Sequence, residues 1–274
     1  MAYWRDAWRF ADSTEYEFKY AGRYGAKGEK RAPKKKPTKE QIRKQNQRNR
    51  EKRMRRLVKA NFQPGDLWCT LKYPSGDRPA VNDARKDLKR FLAKLRGRYK
   101  KAGAQLKFIC RMEAGKKGGI HIHILANRIK GMDTDRIIQG CWDRGRVNFE
   151  SIYRDGGFRK LAEYIVKHPE EDGQLSLFAK EEQKELLKYS CSRNLARPEP
   201  ERKYYSRRTL RRLIEEGPEP SPGYYIDQDS VACGVNRYTG MSWLHYTEIR
   251  IREEGADVDG EPVHRHKQKR AAPG

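Results

Sequence analysis

Residues 119–127 have the sequence GIHIHILAN, in which isoleucine and histidine alternate. Successive side chains of a β-strand point to opposite faces, so this run predicts a strand with isoleucines on one face and His121 and His123 together on the other. Glu113 ends an earlier apolar run, residues 108–113, and a Gly-Lys-Lys-Gly-Gly stretch separates the two runs. That stretch favours a hairpin turn, which would bring the carboxylate of Glu113 onto the face of the two histidines.

Glu113, His121 and His123 form a candidate metal site. Two imidazoles and one carboxylate can bind a divalent cation, and three protein ligands leave coordination positions open, as a catalytic ion requires. The plainer alternative is a solvated polar strand face, and the glutamate across the hairpin is what favours a metal. A second pair, His264 and His266, lies among Gly, Pro, Lys and Ala without apolar residues, so we predict a solvated tail there.

A second motif lies in residues 158–168, where apolar side chains recur at helical spacing before Pro169. Tyr164 and Lys167 are three positions apart, so we expect them on one face of that helix. A tyrosine hydroxyl, with a pKa of about 10, is a weak nucleophile near neutral pH. A metal ion and a neighbouring lysine would stabilise the negative charge that develops when it attacks. The pair gains weight from its position after the histidine strand.

The central part of the chain predicts a βαββαβ order. The predicted strands are residues 67–72, 106–112, 120–125 and 146–150, and the predicted helices are residues 82–99, 133–139 and the tyrosine helix. This order suits an α+β fold, a ferredoxin-like or RRM-like antiparallel sheet with helices on one face. Residues 223–251 alternate apolar and polar side chains and predict a further, C-terminal hairpin.

With these motifs in place, the chain resembles the HUH endonuclease superfamily, and within it the rolling-circle replication initiators of plasmids, phages and integrated elements. The resemblance covers residues 62–210. It rests on a first apolar strand at residues 67–71, on Glu113 before His121-Ile122-His123, on the later Tyr164 and Lys167, and on a segment at residues 189–195.

The resemblance implies a site-specific nickase that also rejoins single-stranded DNA at a replication origin. Tyr164 would form a covalent 5′-phosphotyrosine and release a 3′-hydroxyl, while Lys167 neutralises charge. A divalent ion, Mg²⁺ or Mn²⁺, would be held by Glu113, His121 and His123. Tyr153 and Tyr189 are alternative nucleophiles that rank below Tyr164. The side chains that we expect to contact DNA are Arg111, Lys116, Lys117, Arg193 and Asn194.

Composition favours a nucleic-acid partner. The chain of 274 residues has 62 Lys and Arg against 37 Asp and Glu, a net charge of +25. Such an excess attracts polyanions without specifying their sequence. Residues 1–60 hold 20 basic and 7 acidic side chains, a net +13. We therefore expect four regions: a basic N-terminal DNA-binding arm or helix at 1–60, the nickase domain at 61–210, the C-terminal hairpin at 211–252 and a polar tail at 253–274.

Other sequence features narrow the class of protein. Five cysteines, an odd number without Cys-x-x-Cys spacing, argue against a disulfide framework or a zinc finger and for a reducing cytoplasm. No apolar run is long enough for a membrane span, so no membrane partner is expected. Without a phosphate-binding Gly-x-x-x-x-Gly-Lys-Ser/Thr motif, strand opening would need a separate helicase from the host.

Three alternatives remain open on the sequence. The chain could bind nucleic acid without catalysis, using the same sheet and basic regions. Two histidines and a carboxylate also occur in non-haem iron oxygenases, although the basic charge and the tyrosine helix count against that class. Within the resemblance, a single-tyrosine transposase has the same order of motifs.

Overall fold

A computed structural model describes residues 3–21, 37–115, 118–152, 158–167, 178–236 and 240–251. The strands are β1 (Tyr3–Arg9), β2 (Ser13–Tyr20), β3 (Leu67–Lys72), β4 (Phe108–Ala114), β5 (Ile120–Ala126), β6 (Arg146–Ser151), β7 (Tyr189–Cys191), β8 (Glu201–Tyr205), β9 (Tyr224–Val235) and β10 (Ser242–Arg250). The helices are α1 (Lys39–Asn61), α2 (Val81–Lys101), α3 (Thr134–Gln139), α4 (Arg159–Val166), α5 (Lys180–Leu186) and α6 (Arg207–Glu215). The chain divides into two units, Lys27–Pro200 and a second formed by Met1–Ala26 with Glu201–Gly274.

The first unit contains the predicted βαββαβ order. Its five-stranded sheet has the order β6-β3-β5-β4-β7, and each of these pairings is antiparallel. The first four strands therefore follow the ferredoxin-like arrangement, with β7 added beside β4. The predicted hairpin of β4 and β5 is present, and its register sets Glu113 opposite His121 and Arg111 opposite His123. The α+β class and this arrangement confirm the predicted fold.

The isoleucine face of β5 anchors the sheet. Ile120, Ile122 and Ile124 are 2 %, 0 % and 1 % exposed. They share a core with Phe91 and Leu95 of α2, whose buried residues recur every three or four positions. Burial of one such side chain contributes about 1.5–3 kcal/mol, so the alternation in β5 is firmly fixed by packing.

The opposite face of the same sheet is also covered in part, whereas the sequence suggested helices on one face. There α1 and α4 pack over Ile109 and Leu125, with Met54, Val58 and Ile165 in the shared core. The apolar residues of α1 are confined to its C-terminal half, because the first twelve positions are polar apart from Ile42. A stripe this short gave the sequence analysis no sign that α1 belongs to the core.

The second unit is an antiparallel sheet of order β8-β1-β2-β10-β9. Its core includes Tyr3, Tyr16, Phe18 and Tyr246, against which Leu210 of α6 packs. The predicted C-terminal hairpin is present as β9 and β10. The first twenty residues, which we expected in a basic arm, instead supply two strands of this sheet, since alternating aromatic residues of β2 bury one of its faces.

Several predicted features lie outside the described residues, among them Lys116, Lys117, Tyr153, His264 and His266. All five cysteines are free thiols, as expected. Among the helices that the structure describes, none has the length and apolar character needed to span a membrane.

Candidate active site

Three predicted side chains meet on the sheet face that α4 partly covers. The hydroxyl of Tyr164 donates to Glu113 Oε2 at 2.6 Å and lies 3.1 Å from His123 Nε2. His123 Nε2 is also 3.1 Å from Glu113 Oε2. The contacts join β4, β5 and α4, so a phenol, a carboxylate and an imidazole converge from three separate elements. We call Glu113, His123 and Tyr164 the tyrosine cluster.

His123 is fixed on both sides of its ring. Its Nδ1 lies 3.2 Å from Thr70 Oγ1, on the neighbouring strand β3. The indole of Trp68 stacks on the imidazole with ring centroids 5.4 Å apart and an interplanar angle of 8°. When Nδ1 carries the proton and donates to Thr70, Nε2 has its lone pair available to a cation or a proton. Thr70 thereby favours the tautomer that leaves Nε2 open.

Tyr164 is positioned from the end of its helix. Arg111 is 5 % exposed, and its Nη1 donates to the carbonyl oxygens of Tyr164, Ile165 and Lys167 at 3.2, 3.2 and 2.8 Å. The last carbonyls of a helix have no partners within it, and a cation there also meets the negative end of the helix dipole. Arg111 therefore caps α4. The phenol itself is 37 % exposed and meets the edge of Trp68, with ring centroids 5.8 Å apart.

The Glu113 carboxylate is ionised throughout the ordinary pH range. Burial by itself would raise its pKa, but hydrogen bonds from His123 and Tyr164 and the charges of His123 and Arg111 outweigh burial and lower the pKa to about 2. The charged carboxylate is therefore a constant hydrogen-bond acceptor for the Tyr164 hydroxyl.

His121 shares the sheet face of His123 but does not join its contacts. It is half-buried, and burial, followed by the charges of His123 and Lys72, lowers its pKa. Its imidazole lies so close to Gly115 that a Cβ there would clash with Nε2. The uncharged ring keeps lone pairs that can serve a metal.

The donor set fits a divalent ion in kind. Glu113 and His123 already converge, and His121 lies across the ladder from Glu113. Within the described residues, however, no three His, Cys, Asp or Glu side chains are close enough together to hold a metal. Recruiting the third ligand requires the His121 ring to turn on its strand.

The tyrosine helix is shorter than predicted. It ends at Val166, and Lys167 is its C-cap with φ −51° and ψ 136°. Pro169 disfavours helix in the preceding residues, which accounts for the early end. Lys167 and Tyr164 are therefore not two positions on one helical face. At the other end, Phe158 has a left-handed backbone, φ 63°, and its buried ring offsets a cost of about 1–2 kcal/mol.

The residues that we expected to contact DNA are scattered. Arg111 is buried and bonded to the end of α4, unlike the exposed side chain that a contact with a DNA backbone would use. Asn194 donates to the Leu106 carbonyl at 3.2 Å, so its amide has a structural role, while Arg193 is exposed. Tyr189 is 44 % exposed on β7 and has no described hydrogen bond to Glu113 or His123.

A cleft of about 410 Å³ opens beside the Tyr164 hydroxyl. It extends from the tyrosine cluster towards the end of β6 and the start of α4. Its lining residues are Trp68, Thr70, His123, Glu150, Ser151, Ile152, Phe158, Lys160, Leu161 and Tyr164. Aromatic and apolar walls with one lysine suit a nucleotide better than a metal or a small anion alone.

Sequence reasoning missed the supporting residues Thr70 and Trp68 and the capping role of Arg111. The register between β3 and β5 sets Thr70 opposite His123, so a correct alignment of the two predicted strands would have found this pair. The contact between Arg111 and α4 spans more than fifty residues of sequence, and no local pattern signals it.

Comparison with known families agrees with this geometry. Residues 66–169 match the family model of the replication-associated protein ORF2, and this segment contains Glu113, His121, His123 and Tyr164. No curated protein and no solved structure matches the chain. The expected kinship with replication initiators is thus confirmed at the level of the family: over residues 66–169 the chain is similar to the replication-associated proteins of this family.

Proposed function

We propose that this chain initiates replication by cutting and rejoining single-stranded DNA, with Tyr164 as the nucleophile. The family supports a role in DNA replication, and the net charge of +25 supports a DNA partner. One observation carries the chemical step: the Tyr164 hydroxyl lies within hydrogen-bonding distance of both Glu113 and His123.

In this reaction the phenolic oxygen of Tyr164 attacks the phosphorus of a phosphodiester. A bond from that oxygen to phosphorus forms, the bond from phosphorus to the 3′-oxygen breaks, and the 3′-oxygen takes up a proton. The phenol loses its own proton, for which His123 Nε2 and the Glu113 carboxylate are the nearest acceptors. One ester replaces another, so the reverse reaction rejoins the strand without a nucleotide cofactor.

The protein contributes mainly position and charge. Arg111 and Trp68 hold Tyr164, while Thr70 and Trp68 hold His123, so few degrees of freedom remain when a strand binds. The cleft beside the hydroxyl offers an aromatic wall to an unstacked base, with Lys160 near the phosphates. Lys167, which follows α4, is a further cation for the charge that develops.

Glu113, His121 and His123 would hold Mg²⁺ or Mn²⁺. When bound, such an ion supplies positive charge that polarises a non-bridging phosphate oxygen. The mixed nitrogen and oxygen donors suit Mn²⁺ at least as well as Mg²⁺.

The test is the covalent adduct. A pool of unpaired, 3′-labelled oligonucleotides is incubated with the protein and Mn²⁺ and separated under denaturing conditions. We expect a labelled protein band that EDTA prevents and that Tyr164→Phe abolishes, whereas the control Tyr189→Phe retains it. His123→Ala should lower adduct formation by roughly a hundredfold and change DNA affinity far less, because many basic side chains share the binding.

The same assay separates the alternatives. An adduct that survives in Tyr164→Phe and disappears in Tyr189→Phe would transfer the nucleophile to β7. Oligonucleotide binding with no adduct under any metal condition would favour a nucleic-acid-binding protein without catalysis. Transposase activity would appear as joining of the cut strand to an unrelated acceptor strand, which an initiator does not require.

A further inference from the structure

The helix α1 has two halves with different surroundings. Its C-terminal half is anchored, since Met54 and Val58 are 1 % and 0 % exposed in the core shared with α4. Its N-terminal half, residues 39–50, is exposed except for the half-buried Gln47, whose amide donates to the Val166 carbonyl at 3.1 Å. Twelve helical residues extend for about 18 Å, more than three turns.

This exposed half is already helical in the protein alone. Thr38 and Gln41 form a capping box, with Thr38 Oγ1 accepting from the Gln41 amide and the Gln41 side chain accepting from the Thr38 amide. A capped end contributes about 1 kcal/mol, and the anchored C-terminal half removes the cost of nucleation. A partner therefore meets a formed helix.

One face of the exposed half carries amides and a guanidinium. Gln41, Gln45, Arg48 and Asn49 follow one another at helical spacing, on the side away from Met54. The Gln45 amide donates to Asn49 Oδ1 at 3.1 Å, so these side chains are neighbours on the surface. Residues 39–50 contain five basic side chains and one acidic one. The basic residues are Lys39, Arg43, Lys44, Arg48 and Arg50, and the acidic residue is Glu40.

We propose that the N-terminal half of α1 binds the major groove of double-stranded DNA. An α-helix fits this groove, Asn and Gln pair with adenine edges, Arg pairs with guanine edges, and flanking Lys and Arg neutralise phosphates. The site is separate from the tyrosine cluster, and the proposal goes beyond cleavage of an unpaired strand. It gives the protein a way to select the base-paired DNA around the cut.

The composition of this helix half excludes the other polyanions. Binding of single strands depends on aromatic side chains that stack with bases, and residues 39–50 contain none. The major groove of double-stranded RNA is too narrow for a helix. An anionic lipid surface needs an apolar face, and Ile42 is the single large apolar residue in this stretch.

The test compares two doubly substituted proteins that lose the same charge. Arg48→Ala/Arg50→Ala changes the proposed surface, and the control Lys89→Ala/Lys100→Ala changes exposed positions of α2. Alanine is the best helix former, so both helices should persist. Fluorescence anisotropy measures affinity for a labelled duplex and for one of its strands over a range of salt concentrations. Adduct formation on unpaired oligonucleotides is measured in parallel.

We expect Arg48→Ala/Arg50→Ala to weaken duplex binding roughly tenfold more than the control does. The slope of log affinity against log salt should fall by about 2, because each lost phosphate contact removes about 0.9. Single-strand affinity and adduct formation should change equally in both variants. Equal duplex affinities for the two variants, or an equal loss on single strands and duplex, would overturn the proposal. Absence of any adduct with normal duplex binding would refute the nicking proposal and leave this one standing.

Discussion

Replacing Arg111 separates two roles for a cation beside the tyrosine helix. The sequence suggested that Arg111 contacts DNA, whereas the structure has its guanidinium 5 % exposed and bonded to three carbonyl oxygens at the end of α4. Arg111→Met keeps the volume and removes the charge and the donors. Arg111→Lys keeps the charge and removes the planar fork.

The magnitude follows from the donors available. Nη1 has two hydrogens for three acceptors, so the contacts count as about two charged hydrogen bonds, each contributing about 1.5–3 kcal/mol. Methionine returns about 1–2 kcal/mol by burying an apolar chain. Arg111→Met should therefore lower the free energy of unfolding by about 2–4 kcal/mol. Arg111→Lys should cost about 1–2 kcal/mol, because its charge still meets the helix dipole.

Urea unfolding with linear extrapolation measures the free-energy change, and amide hydrogen exchange reports on α4 directly. We expect α4 amides to lose protection before the sheet does, with adduct formation falling as Tyr164 leaves Glu113. DNA affinity should stay within about threefold of the parent protein. A variant with unchanged stability, unchanged protection of α4 and weakened DNA binding would refute the capping role and restore the DNA contact.

Three further substitutions test other parts of the site. Thr70→Val removes the hydrogen-bond partner of His123 Nδ1 at nearly constant volume, and should lower Mn²⁺ affinity, measured by titration calorimetry, by about 10–100-fold. Glu113 has a pKa lowered to about 2, so its ionised form stabilises the fold above the unfolded-state pKa of about 4.3, and that contribution of about 3 kcal/mol disappears as the pH falls from 4.3 to 2. Glu113→Gln should abolish this part of the acid dependence, and a parent-like acid profile in the variant would contradict the assignment. Met54→Ala should lower the free energy of unfolding by about 2–5 kcal/mol, because this fully buried side chain joins α1 to the core around α4.

The features that could be predicted from sequence are those fixed by local periodicity. A strand with three isoleucines on one face has only one way to bury them, so the shared face of His121 and His123 followed directly. The short Gly-rich stretch between β4 and β5 left little choice of pairing, which brought Glu113 to the same face. Order of elements then selected the ferredoxin-like arrangement of the sheet.

The features that could not be predicted depend on distant parts of the chain. The alternating aromatic residues of β2 suited either base stacking or a core, and the partner strand β10 lies more than two hundred residues later. Likewise, α1 has an apolar stripe of only a few residues, whose use depends on α4. Pairings of this kind carry no local signature, because each half of the contact has several physically acceptable partners.

The same distinction applies to the stability of the tyrosine cluster. Glu113 and His123 lie on adjacent strands of a sheet with a continuous core, so their positions persist as long as the unit is folded. Tyr164 lies on a helix of eight residues, too short to be stable alone, which depends on Arg111 and on packing against Met54 and Ile109. Docking of α4 therefore adds the nucleophile to a carboxylate and an imidazole that are already in place. Any change that weakens this docking should lower cleavage more than it lowers metal binding, because the metal donors belong to the sheet.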